Sequence, residues 1–291
     1  ILMSQSFSLL FAVGSIVLAW FIAKKIWDEH IAIKVTWIVA LFPSIILYSI
    51  LPLREVYCSF FLLVALVGIF YWVRYGGIKY IALAMFGFIA AAFFHGPLIF
   101  GGVIFLFIVL YSSIKDLLKS LMNLRLNFQS FILVIFVVMV LYPIFSNQIY
   151  IPKLGYYEDF KIGYLFSEAR ARMIGNASYS EILSINNSSG TIDIIYKIAL
   201  RVLYFLFSPF PWDVEKLTHL IGMLDGFLYM FFVYLILSNI KIIWKDPFLR
   251  IILIILTFYF IMFALGVSNF GAGLRHRTKF VIMMVLLVSP F

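Results

Sequence analysis

The stretch "YCSFFLLVALVGIFYWVR", residues 57–74, decides the fold of this chain because it is apolar almost throughout. Its one charged residue, Arg74, is also its last. A helix of about 20 mostly apolar residues is long enough to cross the hydrocarbon core of a bilayer. Backbone N–H and C=O groups find no water at that depth, so a helix must satisfy them internally. The stretch therefore predicts a membrane-spanning helix.

Runs of the same kind recur along the chain and predict an all-α, polytopic transmembrane helical bundle of about nine to ten membrane segments. A further apolar stretch, 194–210, is broken by the segment SPFPW at residues 208–212, and we interpret it as amphipathic or re-entrant. The other candidate spans are 5–26, 31–51, 78–94, 97–113, 128–147, 220–240, 250–267 and 279–291.

The chain is expected to form a single membrane domain over residues 1–291, with 148–219 as an outer loop and re-entrant or amphipathic region. It begins with Ile1 and ends inside an apolar run, which suggests truncation at both ends. Any residue that lies before Ile1 and takes part in function would then be missing from this sequence.

The composition supports a membrane location and excludes several functions. Only 12% of residues are charged, against about 25% in soluble domains. The net charge of +9 indicates cytoplasmic loops and anionic lipid headgroups, not nucleic acid. Cys58 is the only cysteine, so no intrachain disulfide forms. No metal-ligand spacing or nucleotide-binding loop occurs; we therefore predict no metal site, assign no cofactor and leave a divalent cation open.

Basic residues in the short loops set the predicted orientation. With residues 24–34 on the cytoplasmic side, regular alternation places Arg54 and the basic residues after 267 on the outer side. Four of these are exceptions to the rule that positive charge lies inside, and a bound anion would explain them. They are Arg54, Arg275, Arg277 and Lys279.

The segment "SNFGAGLRHRTKF", residues 268–280, is the strongest candidate for such an anion site. Arg275 and Arg277 would lie on one side if the segment is extended, with Lys279 continuing the row and His276 between them. Arginine forks match phosphate oxygens in pairs, and lysine adds a point charge. The alternative is an ordinary cytoplasmic anchor. We predict a mono- or diphosphate site at the outer membrane surface.

Two helical hairpins carry further candidates. In "PSIILYSILPLREVY", residues 43–57, Arg54 could reach the same phosphate, Glu55 could orient it or act on a sugar hydroxyl, and Tyr48 could line the pocket. The alternative is an interfacial ion pair at a tight turn. In "FFHGPLIFGG", residues 93–102, His95 could donate to phosphate or move a proton; the alternative is a helix-end cap.

The segment "YFLFSPFPWDVEKLTH", residues 204–219, contains two prolines that forbid a continuous helix. Its aromatic residues suit the headgroup region of a membrane. Asp213 follows directly and could serve as acid or base, although an interfacial corner without a catalytic role would look the same. Asp225, within the next apolar run, is costlier to bury.

These segments, taken together, resemble polytopic glycosyltransferases of the GT-C class and the related bacterial O-antigen or capsule polymerases. The features that carry the resemblance are "LFPSIILYSILPLRE" (42–55), "FHGP" (94–97), "YFLFSPFPW" (204–212) and "SNFGAGLRHRTKF" (268–280).

The resemblance implies an enzyme of the bacterial inner membrane that uses a polyprenyl-phosphate or -pyrophosphate sugar donor, undecaprenyl-linked, on the periplasmic face. It implies phosphate or sugar binding by Arg54, Arg275 and Arg277. The acidic base of GT-C enzymes would precede Ile1, so the base here stays open among Glu55, Asp213 and His95.

The predicted function is therefore a membrane glycosyltransferase or polymerase of surface polysaccharide, with membrane lipids and other polysaccharide-assembly proteins as further partners. Two alternatives remain: a transporter or flippase of lipid-linked oligosaccharide, and a non-catalytic subunit of a synthase complex. A transporter would show paired halves and charges along a central path. The absence of an internal repeat and the charges at one face favour the enzyme. We expect Arg275→Ala and Arg277→Ala to abolish polymer without loss of protein.

Overall fold

A computed structural model describes residues 2–51, 53–123, 127–146, 191–214, 217–267 and 269–291. Within these ranges every regular element is helical, as the sequence predicts. Most of the predicted outer loop, at 147–190, lies outside the described residues. The helices are α1 (Leu2–Ile26), α2 (Glu29–Leu41), α3 (Pro43–Ile50), α4 (Glu55–Tyr75), α5 (Ile78–Phe94), α6 (Ile99–Met122), α7 (Phe128–Phe145), α8 (Thr191–Phe207), α9 (Leu217–Ser238), α10 (Ile240–Lys245), α11 (Pro247–Gly266), α12 (Phe270–Arg277) and α13 (Val281–Val288).

Several helices are long and apolar enough to cross a membrane. Among the described residues four meet this test, and a fifth does if the bent pair α2–α3 counts as one span. Three more apolar helices, at Ile78–Phe94, Ser130–Pro143 and Gly222–Ser238, are shorter. The structure therefore shows a helical protein with membrane-length helices, and it does not confirm the predicted number of nine to ten segments.

The predicted span 31–51 is broken in the middle. Helices α2 and α3 meet at an angle of 57° at Phe42 and Pro43. A proline disfavours helical backbone in the residue before it, and Phe42 is extended, with φ −68° and ψ 122°. Pro43 then begins α3, where its missing N–H leaves no hydrogen bond unmade.

Helices α4 and α5 form a tight antiparallel pair because small residues face each other. A Cβ atom on Gly68 would lie 2.4 Å from the backbone nitrogen of Ala84. A Cβ atom on Gly87 would lie 2.4 Å from the backbone nitrogen of Ala65. In a membrane the hydrophobic effect does not drive helices together, because lipid tails are as apolar as the side chains. Small residues at helix interfaces instead let the backbones approach closely and make van der Waals contacts. This hairpin brings Arg54 and Glu55, before and at the start of α4, next to His95 at the end of α5.

The last helix, α13, lies in the centre of the bundle. All eight of its residues are buried, and it packs against α1, α2, α9 and α11. The predicted span 279–291 is thus a short internal helix without a lipid-facing side. Because α13 is central, the basic residues that precede it in the chain lie inside the protein at one end of the bundle.

The predicted amphipathic stretch 194–210 is mostly helix α8, which packs against α11, α9 and α12. The helix ends at Phe207, and the proline-rich corner continues through a 3₁₀ turn at Pro211–Asp213. Residue Ser208 precedes a cis peptide bond to Pro209. The prolines therefore end the helix, as the sequence predicts.

We expect Gly87→Leu to lower the thermal stability of the purified protein, because the added side chain meets the α4 backbone. Overpacking of this kind costs about 1–3 kcal/mol or more. The measurement is the melting temperature in detergent. Ala82→Leu, at an exposed position of the same helix, is the matched control and should melt like the wild type. Equal melting of Gly87→Leu and wild type would contradict the close packing.

Candidate functional site

A buried carboxylate gathers three cations at one end of the bundle. Glu55 is only 1% exposed, and its Oε1 lies 2.6 Å from Arg275 Nε. The same oxygen lies 3.7 Å from Lys279 Nζ and 3.9 Å from Arg54 Nε. Three positive groups and one negative group leave two positive charges in excess. The cluster of Arg54, Glu55, Arg275 and Lys279 is called the cation cluster below.

Local sequence explains how each residue reaches the cluster. Glu55 is in the first turn of α4, where a carboxylate interacts favourably with the helix dipole. Asn269 caps α12 by accepting a hydrogen bond from Ala272 N at 2.7 Å. Residues four apart share a helix face, so Arg275 on α12 and Lys279, in the following 3₁₀ turn, both reach Glu55.

Helical backbone in this segment corrects the expected row of basic residues. Arg277 is two positions after Arg275, and two helical steps turn the side chain by about 200°. Arg277 therefore points away from the cation cluster and into the protein, where it is 0% exposed.

Arg277 is fully engaged by protein acceptors. Its Nε and Nη2 lie 3.3 and 3.2 Å from Asp225 Oδ2. Nη1 donates to the carbonyls of Leu206 and Ser208, and Nη2 also donates to that of Gly222 at 3.0 Å. All five guanidinium donors thus have partners. The structure gives Arg277 a role in fixing α12 against α8 and α9, and leaves it no hydrogen for a phosphate.

Two histidines lie beside the cation cluster. Lys279 Nζ is 2.6 Å from His276 Nδ1. An ammonium can only donate, so His276 accepts with a neutral ring. Burial and the charge of Lys279 lower the pKa of His276 well below its usual value. Burial also lowers the pKa of Lys279, to about 8. The ring of His95 lies 5.0 Å from that of His276, so the α5–α6 turn contributes to the same site.

The two arginines of the cation cluster are partly accessible to solvent. The side chains of Arg54 and Arg275 are 33% and 34% exposed. Arg54 Nη1 also reaches the carbonyl of Phe94 at 3.5 Å. Arg275 uses only Nε toward Glu55, and within the described chain its two Nη groups make no hydrogen bond. Arg275 can therefore present a free guanidinium fork to a ligand.

A pocket adjoins the cluster on the other side of Glu55. It has an empty volume of about 290 Å³, including its open mouth, and Tyr48 is among its lining residues. The structure thus brings together Tyr48, Glu55 and, through Glu55, the cations. Of the predicted site residues, Arg54, Glu55, His95, Arg275, His276 and Lys279 lie in or against the cluster.

Among the described residues, Asp213 makes no contact with the cation cluster. Its Oδ2 accepts a hydrogen bond from Phe210 N at 3.0 Å, and its carbonyl oxygen lies 3.2 Å from His219 Nδ1. The carboxylate therefore stabilises the turn after α8. This geometry matches the corner alternative and gives no support to a catalytic role for Asp213.

Arg201 is a buried residue that the sequence analysis missed. It is 1% exposed and donates to the carbonyls of Ala264, Leu265 and Val267 at 3.1–3.2 Å. These carbonyls belong to the end of α11, where the last turn of a helix lacks internal partners. The sequence feature that could have identified it is the presence of an arginine inside the apolar stretch 194–210.

The described part of the chain contains no cluster of side chains suited to binding a metal ion. No group of three or more His, Cys, Asp and Glu side chains there could hold an ion.

No protein-family model, curated protein or solved structure matches this chain. Its function must therefore be inferred from the residues and their geometry.

We expect Arg277→Ala and Arg275→Ala to differ in stability. Removing Arg277 leaves Asp225 buried without its charge partner, which costs about 3–5 kcal/mol. Removing Arg275 breaks a partly exposed pair, and Glu55 keeps Lys279 and Arg54 nearby. Melting temperatures and expression levels measure the difference. The sequence alone predicted intact protein in both cases; equal stability of the two variants would contradict the structural role of Arg277.

Proposed function

We propose that this chain is an integral-membrane glycosyltransferase or polymerase of bacterial surface polysaccharide. It would use a polyprenyl-phosphate or -pyrophosphate sugar donor on the periplasmic face of the inner membrane. The observation that carries the proposal is the cation cluster, with two positive charges in excess beside a pocket. The sugar and the polyprenyl tail come from the sequence resemblance.

Charge and access favour a phosphate as the bound anion. Arg275 holds its Nη fork open while Glu55 fixes its Nε. Arginine forks bind phosphate oxygens in pairs. Arg54 is exposed to a similar degree, and Lys279 adds a buried charge behind them. A donor phosphate would therefore lie against Arg54 and Arg275.

Glycosyl transfer from such a donor places the chemical demand on the leaving phosphate. The bond from the sugar's anomeric carbon to the phosphate oxygen breaks, and negative charge grows on that oxygen. Preorganised cations stabilise this charge more in the transition state than in the ground state. Arg54, Arg275 and Lys279 would act in this way. The acceptor hydroxyl oxygen would form the new bond to the anomeric carbon while a base removes its proton.

Aromatic rings next to the cation cluster suit a polyprenyl tail. Tyr57 stacks on Phe94 at 4.9 Å and meets Phe11 edge-on at 4.8 Å. Phe93, whose ring contacts that of Phe94, is 86% exposed. An apolar chain attached to a phosphate at Arg54 would find this surface within the bilayer.

We expect Arg275→Ala to abolish polymer while the protein is retained, because the open fork is lost. Lys245→Ala, at the exposed end of α10, is the control and should form polymer normally. The measurement is polymer in cells together with the lipid-linked repeat unit on each face of the membrane. Accumulation outside supports the transferase. Unchanged polymer overturns the proposal, and accumulation inside supports a flippase.

We expect the affinity for undecaprenyl phosphate to fall as the pH rises through about 8, because Lys279 loses its proton there. Lys279 is buried behind the arginines, so its charge acts on the phosphate at a distance, and losing that charge should weaken binding about tenfold. The lipid phosphate gains charge with pH, which would act in the opposite sense. Lys279→Arg stays charged and should remove the fall. Titrations at pH 7 and 9.5 measure it; a wild type without this fall would exclude Lys279 from binding.

We expect the cluster end of the bundle to face the periplasm. Gly271, exposed in α12, and Asn123, exposed after α6, serve as cysteine sites in a Cys58→Ser background. Helix α6 starts beside the cluster and is about 36 Å long, so Asn123 lies at the opposite end. With the outer membrane permeabilised, an impermeant thiol reagent should label Gly271→Cys only. Labelling of Asn123→Cys only would invert the topology.

A further inference from the structure

A second pocket lies at the opposite end of the bundle from the cation cluster. It is formed by the end of α1, the last two turns of α4 and the start of α11, and it is called the end pocket below. One of its lining residues, Arg74, follows Glu55 by 19 residues along α4, which corresponds to about 28 Å. The end pocket has a volume of about 190 Å³. One water needs only about 10–15 Å³, so there is room for a small polar group.

The end pocket lies at the level of lipid headgroups. Helices α1, α4 and α11 are all long and apolar enough to cross a membrane, and each contributes one end. A helix of this length ends where the hydrocarbon core meets the headgroups. Tyr75, directly after Arg74, and Trp244, two residues before Asp246, are 72% and 50% exposed, as is common for aromatic residues at the membrane surface. A phospholipid headgroup is therefore the group that the end pocket meets most often.

Arg74 brings an unused guanidinium to the end pocket. The side chain is exposed, and its Cζ lies 5.6 Å from the centre of the Phe70 ring, which also lines the pocket. Within the described chain Arg74 makes no hydrogen bond or ion pair. A guanidinium has five N–H donors and can bind two phosphate oxygens at once. Arg74 is therefore able to hold a phosphate at the mouth of this pocket.

Asp246 brings a carboxylate of which one oxygen is already used. Its Oδ1 accepts hydrogen bonds from Phe248 N at 2.8 Å and from Leu249 N at 3.0 Å, and so caps α11. The other oxygen, Oδ2, accepts no hydrogen bond within the described chain. Because the cap uses the first N–H groups of α11, the start of this helix offers an acceptor to a ligand and no backbone donor.

Two opposite charges thus line the end pocket without pairing. Among the described residues, Arg74 and Asp246 form no ion pair with each other. A simple anion would be attracted by Arg74 and repelled by Asp246, and a simple cation would meet the reverse. A zwitterion that carries a phosphate and an ammonium is attracted by both. The remaining lining is apolar, including Ile26, Val73 and Pro247, and suits the first carbons of a lipid.

We propose that the end pocket binds the headgroup of a zwitterionic phospholipid, phosphatidylethanolamine, with the phosphate at Arg74 and the ammonium at Asp246 Oδ2. The bound lipid would connect the ends of α1, α4 and α11, which meet here. A ligand that binds only the folded chain also stabilises it. The end pocket is remote from the cation cluster, so this inference does not depend on the proposed function.

The test measures the binding of three phospholipids with identical acyl chains to the purified full chain in detergent. Phosphatidylethanolamine has both charges, phosphatidylglycerol lacks the ammonium, and the trimethylammonium of phosphatidylcholine has no N–H to donate. The wild type should bind phosphatidylethanolamine about tenfold more tightly than the other two, the gain for one hydrogen bond to a charged acceptor. Water-soluble phosphoethanolamine, which lacks the acyl chains, should bind at least about tenfold more weakly than the lipid.

Two variants separate the two charges. Arg74→Ala should weaken the binding of all three lipids about tenfold, because the phosphate loses its partner. Asp246→Asn keeps the helix cap, since asparagine caps helices as well as aspartate does, but loses the negative charge. Its affinities for phosphatidylethanolamine and phosphatidylglycerol should become equal.

Matched controls exist at the same end of the bundle. Lys119→Ala removes an exposed cation from the last turn of α6, and Asp28→Asn changes the aspartate that caps α2. Neither residue lines the end pocket. Both variants should show the lipid preference of the wild type.

Each outcome decides the proposal. Equal affinity of the wild type for all three lipids overturns it, and tightest binding of phosphatidylglycerol replaces it with a site for anionic lipid. An Asp246→Asn variant that keeps the preference, or an Arg74→Ala variant that binds as the wild type does, also overturns it. Phosphoethanolamine that binds as tightly as the lipid would exclude the lipid as the occupant. If Arg74→Ala does not fold, Asp246→Asn decides.

Discussion

The hydrogen bond from Arg275 Nε to Glu55 Oε1 joins two segments that are 220 residues apart in the chain. It is formed where the α4–α5 hairpin meets the entrance of the central helix α13. Glu55 would be unstable without a cation at this burial, since an unpaired charge away from water is costly. The pair therefore fixes the position of α12 relative to α4, and the positions of Lys279 and His276 follow from it.

The arginines around the site fall into two groups that differ in how many donors they have used. Arg201 donates to the carbonyls that end α11, and Arg277 meets Asp225 and three carbonyls. Both stabilise helix ends and corners around the site. Arg54 and Arg275 keep part of their surface exposed. Only arginines of the second group have donors left for an anion, so a phosphate bound as proposed would lie on the side of α12 that carries Arg275, while Arg277 on the other side stabilises the fold.

Glu55 connects the cation cluster with the neighbouring pocket. Its Oε1 accepts from Arg275, its Oε2 has no hydrogen-bond partner among the described residues, and the side chain is part of the pocket lining. A change at Glu55 therefore alters both the net charge of the cluster and the lining of the pocket.

The sequence by itself determined that the chain is helical and suited to a membrane, because apolar runs of about 20 residues leave the backbone no other way to satisfy its hydrogen bonds. It also singled out Arg54, Glu55 and the basic segment before α13, since charges between apolar runs are conspicuous. Only the tertiary structure decided that α13 is a buried internal helix and that Arg277 is used up by Asp225, 52 residues away. The physical reason is that hydropathy reports the total apolar content of a segment, whereas the partner of a charge depends on which distant segments pack beside it.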